Sequence, residues 1–288
     1  MSNGADQAWF TEVFGNEGTS FGLAIKGKLH EEQSQYQKLE IYDTETFGKL
    51  MVIDDCVMLT ERDNFLYHEM MSHPVMFTHP APKRVAIIGG GDCGTLREIL
   101  KHPDLEQAWQ IDIDERVTRL SEQYFPELCD SNNDPRATLM FDDGIAWIKN
   151  QPDNSLDIII VDSTDPVGPA EGLFAVDFYR DCCRALKPEG ILVQQTESPL
   201  LHAHTIITKA HGDMKAAGFG QVQTLSFPQP VYPTGWWSCT MASAATVLDT
   251  FRKDAAAARQ FTTEYYNAEI HQGALAQPEF MKRALGQG

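Results

Sequence analysis

Apolar residues fall first in short, broken stretches and then, from residue 84 onward, in uninterrupted runs separated by amphipathic segments. Between residues 21 and 60, FGLAIKGKL, YQKLEIYDT, FGKLMVID and CVMLT read as strands, divided by turn-forming residues at 43–46 and at Asp54-Asp55. They predict a small antiparallel domain. Asp63 is placed to cap a helix over residues 64–77, where Phe65, Tyr67, Met70, Met71 and Val75 recur at spacings of three and four, and Pro74 is expected to kink or end it. From Arg84 the pattern alternates: RVAIIG, TLREIL, AWQIDID, RVTRLSEQYF, ATLMFD, GIAWIKN, LDIIIVD, DFYRDCCRAL and GILVQQ. That βαβ rhythm predicts a doubly wound, mostly parallel sheet. After a helix over about 205–217, VQTLSF and WWSCTMAS read as an antiparallel pair at the sheet edge, and residues 251–285 as helices packed on the sheet. The expected class is α/β, with residues 1–62 as an N-terminal β-strand domain and 63–288 as a Rossmann-like domain.

The stretch RVAIIGGGDCGTLRE joins a buried strand, a glycine turn and a helix start within residues 84–98. Gly89, Gly91 and Gly94 satisfy GxGxxG, and Asp112 follows Gly91 by 21 positions at the end of the next strand. Alone, this motif is a weak signal whose bland reading is a strand-to-helix turn. Asp92 sharpens it. A dinucleotide would set its pyrophosphate here, and a carboxylate would repel it by about 4 kcal/mol for unit charges 4 Å apart at an effective dielectric of 20. A nucleoside with a neighbouring positive group, such as an S-adenosyl sulfonium, fits instead.

Composition narrows the classes. An apolar fraction of 42% over 288 residues allows one sizeable α/β core with a smaller attachment. The sequence contains no apolar run approaching the roughly 18 residues of a membrane helix, and MSNGADQAWF lacks the pattern of a signal peptide, so a cytoplasmic location is expected. Six cysteines without CxxC spacing read as reduced and mostly buried, and no metal site is expected. A formal charge of −18 argues against a nucleic-acid partner.

In open α/β sheets the ligand crevice lies at the carboxyl ends of the strands. The residues there are acidic: Asp92, Asp112, Asp142, Asp143, Asp162 and Asp165. Each alone reads as a helix cap or turn. Together they imply a multiply positive ligand, which aromatic faces from Tyr67, Tyr232, Trp236 and Trp237 could complement. The two adjacent tryptophans cannot both face inward from one strand.

VDSTDPVGPAEGLF, taken with GGGD, TERDNFLYHEM, VYPTG and YYNAEIH, resembles the spermidine synthases of the polyamine aminopropyltransferase family over nearly the whole chain. The resemblance implies a methyltransferase-type Rossmann-like domain behind the β-domain, a dimer or tetramer built through the latter, and no permanently bound cofactor. It further implies aminopropyl transfer from decarboxylated S-adenosylmethionine to putrescine, giving spermidine and 5′-methylthioadenosine. By motif position it places Gln37, Gly89, Gly91, Asp92, Asp112, Asp143 and Gly144 around the donor. Asp92 would meet the aminopropyl ammonium, Asp112 the ribose hydroxyls and Asp143 the adenine amino group. Asp162 becomes the catalytic acid/base, and Tyr67, His68, Asp92, Asp165, Gln195, Tyr232 and Trp236 join it around the substrate, with Glu12 and the loop at Glu197 as further candidates for the distal end. The chain departs from the family at Cys56 and Cys93, where glycine is usual, and at Asp112, where glutamate is usual.

The chemistry is an in-line displacement at a sulfonium, a good leaving group, so the obstacle is the amine proton. At a pKa near 10.4 only about one amine in a few thousand is neutral at pH 7. Cadaverine or agmatine as acceptor, an amine N-methyltransferase, and a non-catalytic polyamine-binding protein are the competing readings. A methyltransferase would bring the cofactor's α-carboxylate against Asp92.

Overall fold

The structure is a computed structural model that describes residues 7–164 and 168–287. Among these residues, β1 (Trp9–Phe14), β2 (Thr19–Gln33), β3 (Lys38–Thr44), β4 (Lys49–Ile53) and β5 (Cys56–Thr60) form one antiparallel sheet in chain order. The sequence pattern starts this sheet at Phe21, and the structure adds β1. In β1, Phe10 and Glu12 are buried while Trp9 and Val13 are 60% and 70% exposed, so apolar residues occupy both faces and mask the alternation. β2 runs on to Gln33 through its polar end because backbone pairing with β3 sustains it there, Gln33 opposite Lys38. Asp54 and Asp55 join β4 to β5 with φ of 48° and 66°, the positive values a tight two-residue hairpin requires.

The second sheet has the order β11-β12-β10-β9-β6-β7-β8. Its parallel strands are β6 (Arg84–Gly89), β7 (Gln107–Asp112), β8 (Ala137–Phe141), β9 (Leu156–Asp162) and β10 (Leu186–Gln195), and β12 (Trp236–Ser243) and β11 (Gln221–Pro228) close one edge antiparallel. Residues Val85 to Ile88 and Ile158 to Val161 are buried on both faces, which is why they read as uninterrupted apolar runs. From β6 the chain steps outward to β7 and β8, then returns to β9 on β6's other side. This reversal opens a crevice at the carboxyl ends of β6 and β9.

Helices α1 (Asn64–Thr78), α2 (Gly94–Leu100), α3 (Glu115–Tyr124), α4 (Gly144–Lys149), α5 (Val176–Ala185), α6 (Pro199–His202) and α7 (Thr208–Ala216) surround the strands, with a π-helical turn between the last two. In the tail, α8 (Lys253–Ala257), α9 (Ala268–Ala274) and α10 (Glu279–Ala284) follow. Leu39, Ile41, Met51, Ile53 and Leu59 of the first sheet pack on Val117, Leu120 and Phe125 in and just after α3, which seats the small sheet over the crevice.

α1 is buried at every position except Phe65. Two sequence expectations about it need correction. Asp63 does not cap it with its side chain; that carboxylate instead accepts a hydrogen bond from Thr60 Oγ1 at 2.6 Å. Of the two roles expected of Pro74, kinking or ending the helix, the ending is not seen: it lies inside α1. The Met70 carbonyl, which proline cannot serve, receives the Cys239 Sγ–H at 3.8 Å. Midway along α1, the buried Glu69 carboxylate accepts backbone N–H groups from Glu264, Tyr265 and Tyr266 at 2.7, 2.9 and 2.7 Å. Each of those donors would cost about 1–3 kcal/mol if left without a partner, so Glu69 is the clasp between the tail and the central helix.

Candidate active site

Between the two sheets lies a cavity of about 330 Å³. Met51, Ile53, Ile111, Val117 and Leu173 give it apolar walls, and Asp92, Asp112, Asp143 and Asp162 bring carboxylates to it. A mostly apolar pocket of this size with a few convergent polar groups is what a small ligand requires.

Its floor is the glycine turn. Gly89 is the register partner of Asp162 across β6 and β9, has φ of 85°, and would place any Cβ 2.1 Å from the Asp162 carbonyl. A Cβ at Gly91 would lie 2.7 Å from Asp112 Oδ2. Cys93 also adopts a left-handed conformation, φ 71°, which favours glycine and costs a cysteine about 1–2 kcal/mol. At Cys56, the first residue of β5 and part of the cavity lining, no such backbone demand exists.

Asp162 ends β9 with both oxygens held. Tyr67, from α1, donates its hydroxyl to Oδ1 at 2.8 Å, and Thr95, from α2, donates to Oδ2 at 2.6 Å. Burial, reinforced by the nearby negative charge of Asp92, pushes the Asp162 carboxyl above its ordinary value. Asp92 goes the other way. Burial would raise it too, but His68 Nε2 at 3.2 Å from Oδ2 and the Gly94 N–H at 2.7 Å from Oδ1 outweigh that and hold it below the usual range. Two carboxylates in one cavity therefore have opposite tendencies, one suited to remaining an anion and one to accepting a proton.

Asp112 is held by the Asp114 N–H at 2.8 Å, yet burial pushes its carboxyl up to about 7. That value lies above the unperturbed 3.8, so ionising Asp112 costs more in the folded chain than in the unfolded one. The penalty is absent near pH 4, grows as pH rises, and is complete above about 7. Asp112→Asn is accordingly expected to raise the stability of the ligand-free protein at pH 8 by on the order of 1–3 kcal/mol and to give no advantage at pH 4, read from urea denaturation at the two pH values.

The sequence-selected residues are not all brought together in the same way. Gln37 lines the cavity and is steered by its Nε2 donating to Asp114 Oδ2 at 3.1 Å. Gly144 and Asp143 line it as well, but Asp143 Oδ1 is already engaged in capping α4, accepting from Ile145 N and Ala146 N. Asp142 is exposed and accepts the Asp143 N–H. The acidic rim is thus partly helix and turn chemistry, and the electrostatic centre reduces to Asp92, Asp112 and Asp162. Asp165 lies outside the described residues.

A smaller recess of about 40 Å³ opens beyond Tyr67 and Tyr232, lined also by Glu12, Gln195 and Trp237. Tyr232 donates to the Met58 carbonyl at 2.5 Å and meets Trp237 edge-on at 4.7 Å. Trp236 faces the other way, against Phe280 at 6.0 Å, and lines neither cavity. Gln195 donates to the Ser163 carbonyl at 3.4 Å and accepts the Glu197 N–H. Glu197 is buried with φ of 68°, a strained conformation for a non-glycine residue. His68 sits behind Asp92 rather than on the cavity wall. Thr95 and Asp114 are not among the residues the sequence selects, whereas Trp237 is one of its four aromatic candidates. Only Asp114 carried a usable signal, as the acidic residue immediately before α3 whose side chain accepts from Arg116 N.

Comparison with known proteins supplies a family context for this geometry. The family model described as the spermine/spermidine synthase domain matches residues 64–253, and that of the spermidine synthase tetramerisation domain matches 8–61. A polyamine aminopropyltransferase of Methylococcus capsulatus is 63% identical over 279 residues, covering 97% of each chain. One from Thioalkalivibrio sulfidiphilus is 60% identical over 280 residues, covering 97% of this chain and 98% of its own. Among solved structures, a spermidine synthase in complex with the transition-state analogue AdoDATO superposes with a TM-score of 0.94 at 33% identity, over 98% of this chain and 96% of that one. The spermidine synthase of Thermotoga maritima gives 0.92 at 32% identity with the same coverage.

Proposed function

The chain belongs to the spermidine synthase family of polyamine aminopropyltransferases, and from that premise we propose that it moves the aminopropyl group of decarboxylated S-adenosylmethionine to putrescine, forming spermidine and 5′-methylthioadenosine. The observation that carries this reading is that two carboxylates on one cavity are held differently, Asp92 by His68 and the Gly94 N–H and Asp162 by the Tyr67 and Thr95 hydroxyls. Asp92, kept anionic, binds the donor's ammonium. Asp162, with its raised carboxyl, accepts the proton of the attacking amine.

The amine nitrogen attacks the methylene bonded to sulfur; a carbon–nitrogen bond forms, the carbon–sulfur bond breaks, and its electron pair neutralises the sulfonium. Tyr67 and Thr95 fix the Asp162 oxygens so that the nucleophile is presented in line without a search over rotamers. Asp112 takes the ribose hydroxyls, with Gln37 and Asp143 at the nucleoside end. The glycine floor at Gly89 and Gly91, with Gly144, lets that nucleoside approach the backbone. Gln195, Tyr232 and the Glu12–Trp237 recess receive the remote end of the diamine, and Asp165 keeps its place in the reading as a channel residue. The proposed division is residues 1–62 and 63–288, with a homodimer or homotetramer assembled through the first and the reaction run in the cytoplasm.

The test offers putrescine, cadaverine, agmatine and spermidine separately with decarboxylated S-adenosylmethionine and follows release of methylthioadenosine. Release with putrescine in preference to the others supports the proposal, and preference for another amine replaces the acceptor. Methyl transfer from S-adenosylmethionine in place of aminopropyl transfer would overturn it.

A further inference from the structure

His68 is enclosed in α1 with its side chain 2% exposed, and its ring has no room to turn aside: a Cβ on Gly94 would lie 2.2 Å from ring Cε1. Nε2 faces Asp92 Oδ2, while Nδ1 is buried with no hydrogen-bond partner among the described residues. The charged groups that face this ring are Asp92 on the glycine turn, Asp162 at the end of β9, Arg97 on α2 and Asp63 at the start of α1. Tyr67 lies edge-on to the ring at 5.8 Å. Three carboxylates and one guanidinium thus surround an imidazole beside the cation-binding carboxylate.

Two protonation states compete. With the cavity empty, an imidazolium supplies the positive charge that Asp92 and Asp162 lack, at the expense of an Nδ1–H that has no acceptor. With an ammonium held on Asp92, that buried charge becomes redundant and is repelled, and the neutral tautomer with its proton on Nε2 keeps the hydrogen bond to Asp92. We propose that His68 is a positioning residue for Asp92 that exchanges its proton for the donor's ammonium, so that each donor bound releases a proton from behind the site. The charge of the ammonium is then offset by the proton that leaves, that of the sulfonium is met by the carboxylates that remain, and His68 acts through its contact with Asp92.

The proposal rests on the donor assignment above, and methylthioadenosine separates the two. This product shares the nucleoside but carries neither the ammonium nor the sulfonium charge, so the titration of Asp112 at the nucleoside end affects both ligands alike and cancels in their ratio, and the His68→Gln arm isolates the part of the difference that passes through the imidazole. Burial, which lowers the imidazole's proton affinity, is outweighed by Asp92, so the upper end of the window of exchange lies above the ordinary imidazole value of 6.5. Proton release makes donor affinity rise with pH below the free-state titration of His68, by at most tenfold per pH unit.

The experiment measures both dissociation constants by calorimetry between pH 6 and 8.5, each in two buffers of different ionisation enthalpy, for the wild-type protein and His68→Gln. The expected result is a ratio of methylthioadenosine to donor constants that grows at least fivefold across the range. Donor binding should also release more protons than methylthioadenosine binding, and both effects should vanish in His68→Gln. A pH-independent ratio in the wild type, or an undiminished slope in His68→Gln, overturns the proton exchange while leaving the donor assignment intact. A donor that binds no more tightly than methylthioadenosine at any pH overturns both. If His68→Gln does not fold, the same measurements on Asp162→Asn decide: the ratio and the excess proton release should persist without the other raised carboxyl, and their loss assigns the proton to Asp162 and overturns the exchange.

Discussion

Asp162→Asn is expected to lower turnover by about 10²–10⁴-fold while the donor continues to bind, because the substitution removes proton acceptance and little else. Asparagine is nearly isosteric. Its amide oxygen can still accept from Tyr67, and the Thr95 hydroxyl can turn to accept from the new amide nitrogen, so the two contacts at 2.8 and 2.6 Å survive in altered form. The backbone contact is untouched: the Asp162 carbonyl still accepts the Gly90 N–H at 2.7 Å. Methylthioadenosine release under saturating substrates reads the loss, and calorimetry of the donor reads the binding. Turnover within threefold of the wild type would remove Asp162 from the role of base. A collapse of donor affinity would reassign it to binding.

For Asp92→Asn the expected change falls on the other quantity. Truncating one partner of a buried charge pair typically costs a few kcal/mol, so donor affinity should fall about 10²–10³-fold, whereas methylthioadenosine should bind within a few-fold of its wild-type strength. A second effect has a definite sign. The Asp162 carboxyl is raised first by burial and next by the charge on Asp92, so removing that charge lowers its pKa. The acid limb of the turnover profile, which reports Asp162 becoming ionised and able to accept a proton, should move to lower pH. Equal weakening of both ligands would show that Asp92 supports the nucleoside pocket rather than the ammonium.

What the sequence makes legible is whatever a single segment determines. The parallel strands are recognisable because burial on both faces makes them apolar throughout, and the glycine turn because it needs positive φ at Gly89 and Gly90. The acidic strand ends follow from the same pattern. Features that depend on two distant segments are hidden. Thr95 carries no mark of its pairing with Asp162, 67 residues away, and Glu69 none of its three donors in the tail. The choice between Trp236 and Trp237 turns on one residue of register, since neighbours on β12 face opposite sides, and only the placement of β12 in the sheet decides that Trp237 reaches the recess. Asp143 illustrates the converse: the helix-cap reading its residue type offers by itself is the one α4 uses for one of its oxygens.

Asp162 belongs to the sheet itself, paired in register with Gly89, and not to a loop. Under the proposed orientation of the acceptor, one end of the diamine is therefore measured from a fixed zero, since a ladder strand shifts little without the whole sheet. The opposite end meets Glu12 of β1 and Trp237 of β12, elements from two different sheets whose separation is set by side chains. The protein then works as a gauge with one immovable jaw. Amines longer or shorter by a methylene are discriminated at the other jaw, and its side chains can be resized without disturbing the atoms that do the chemistry.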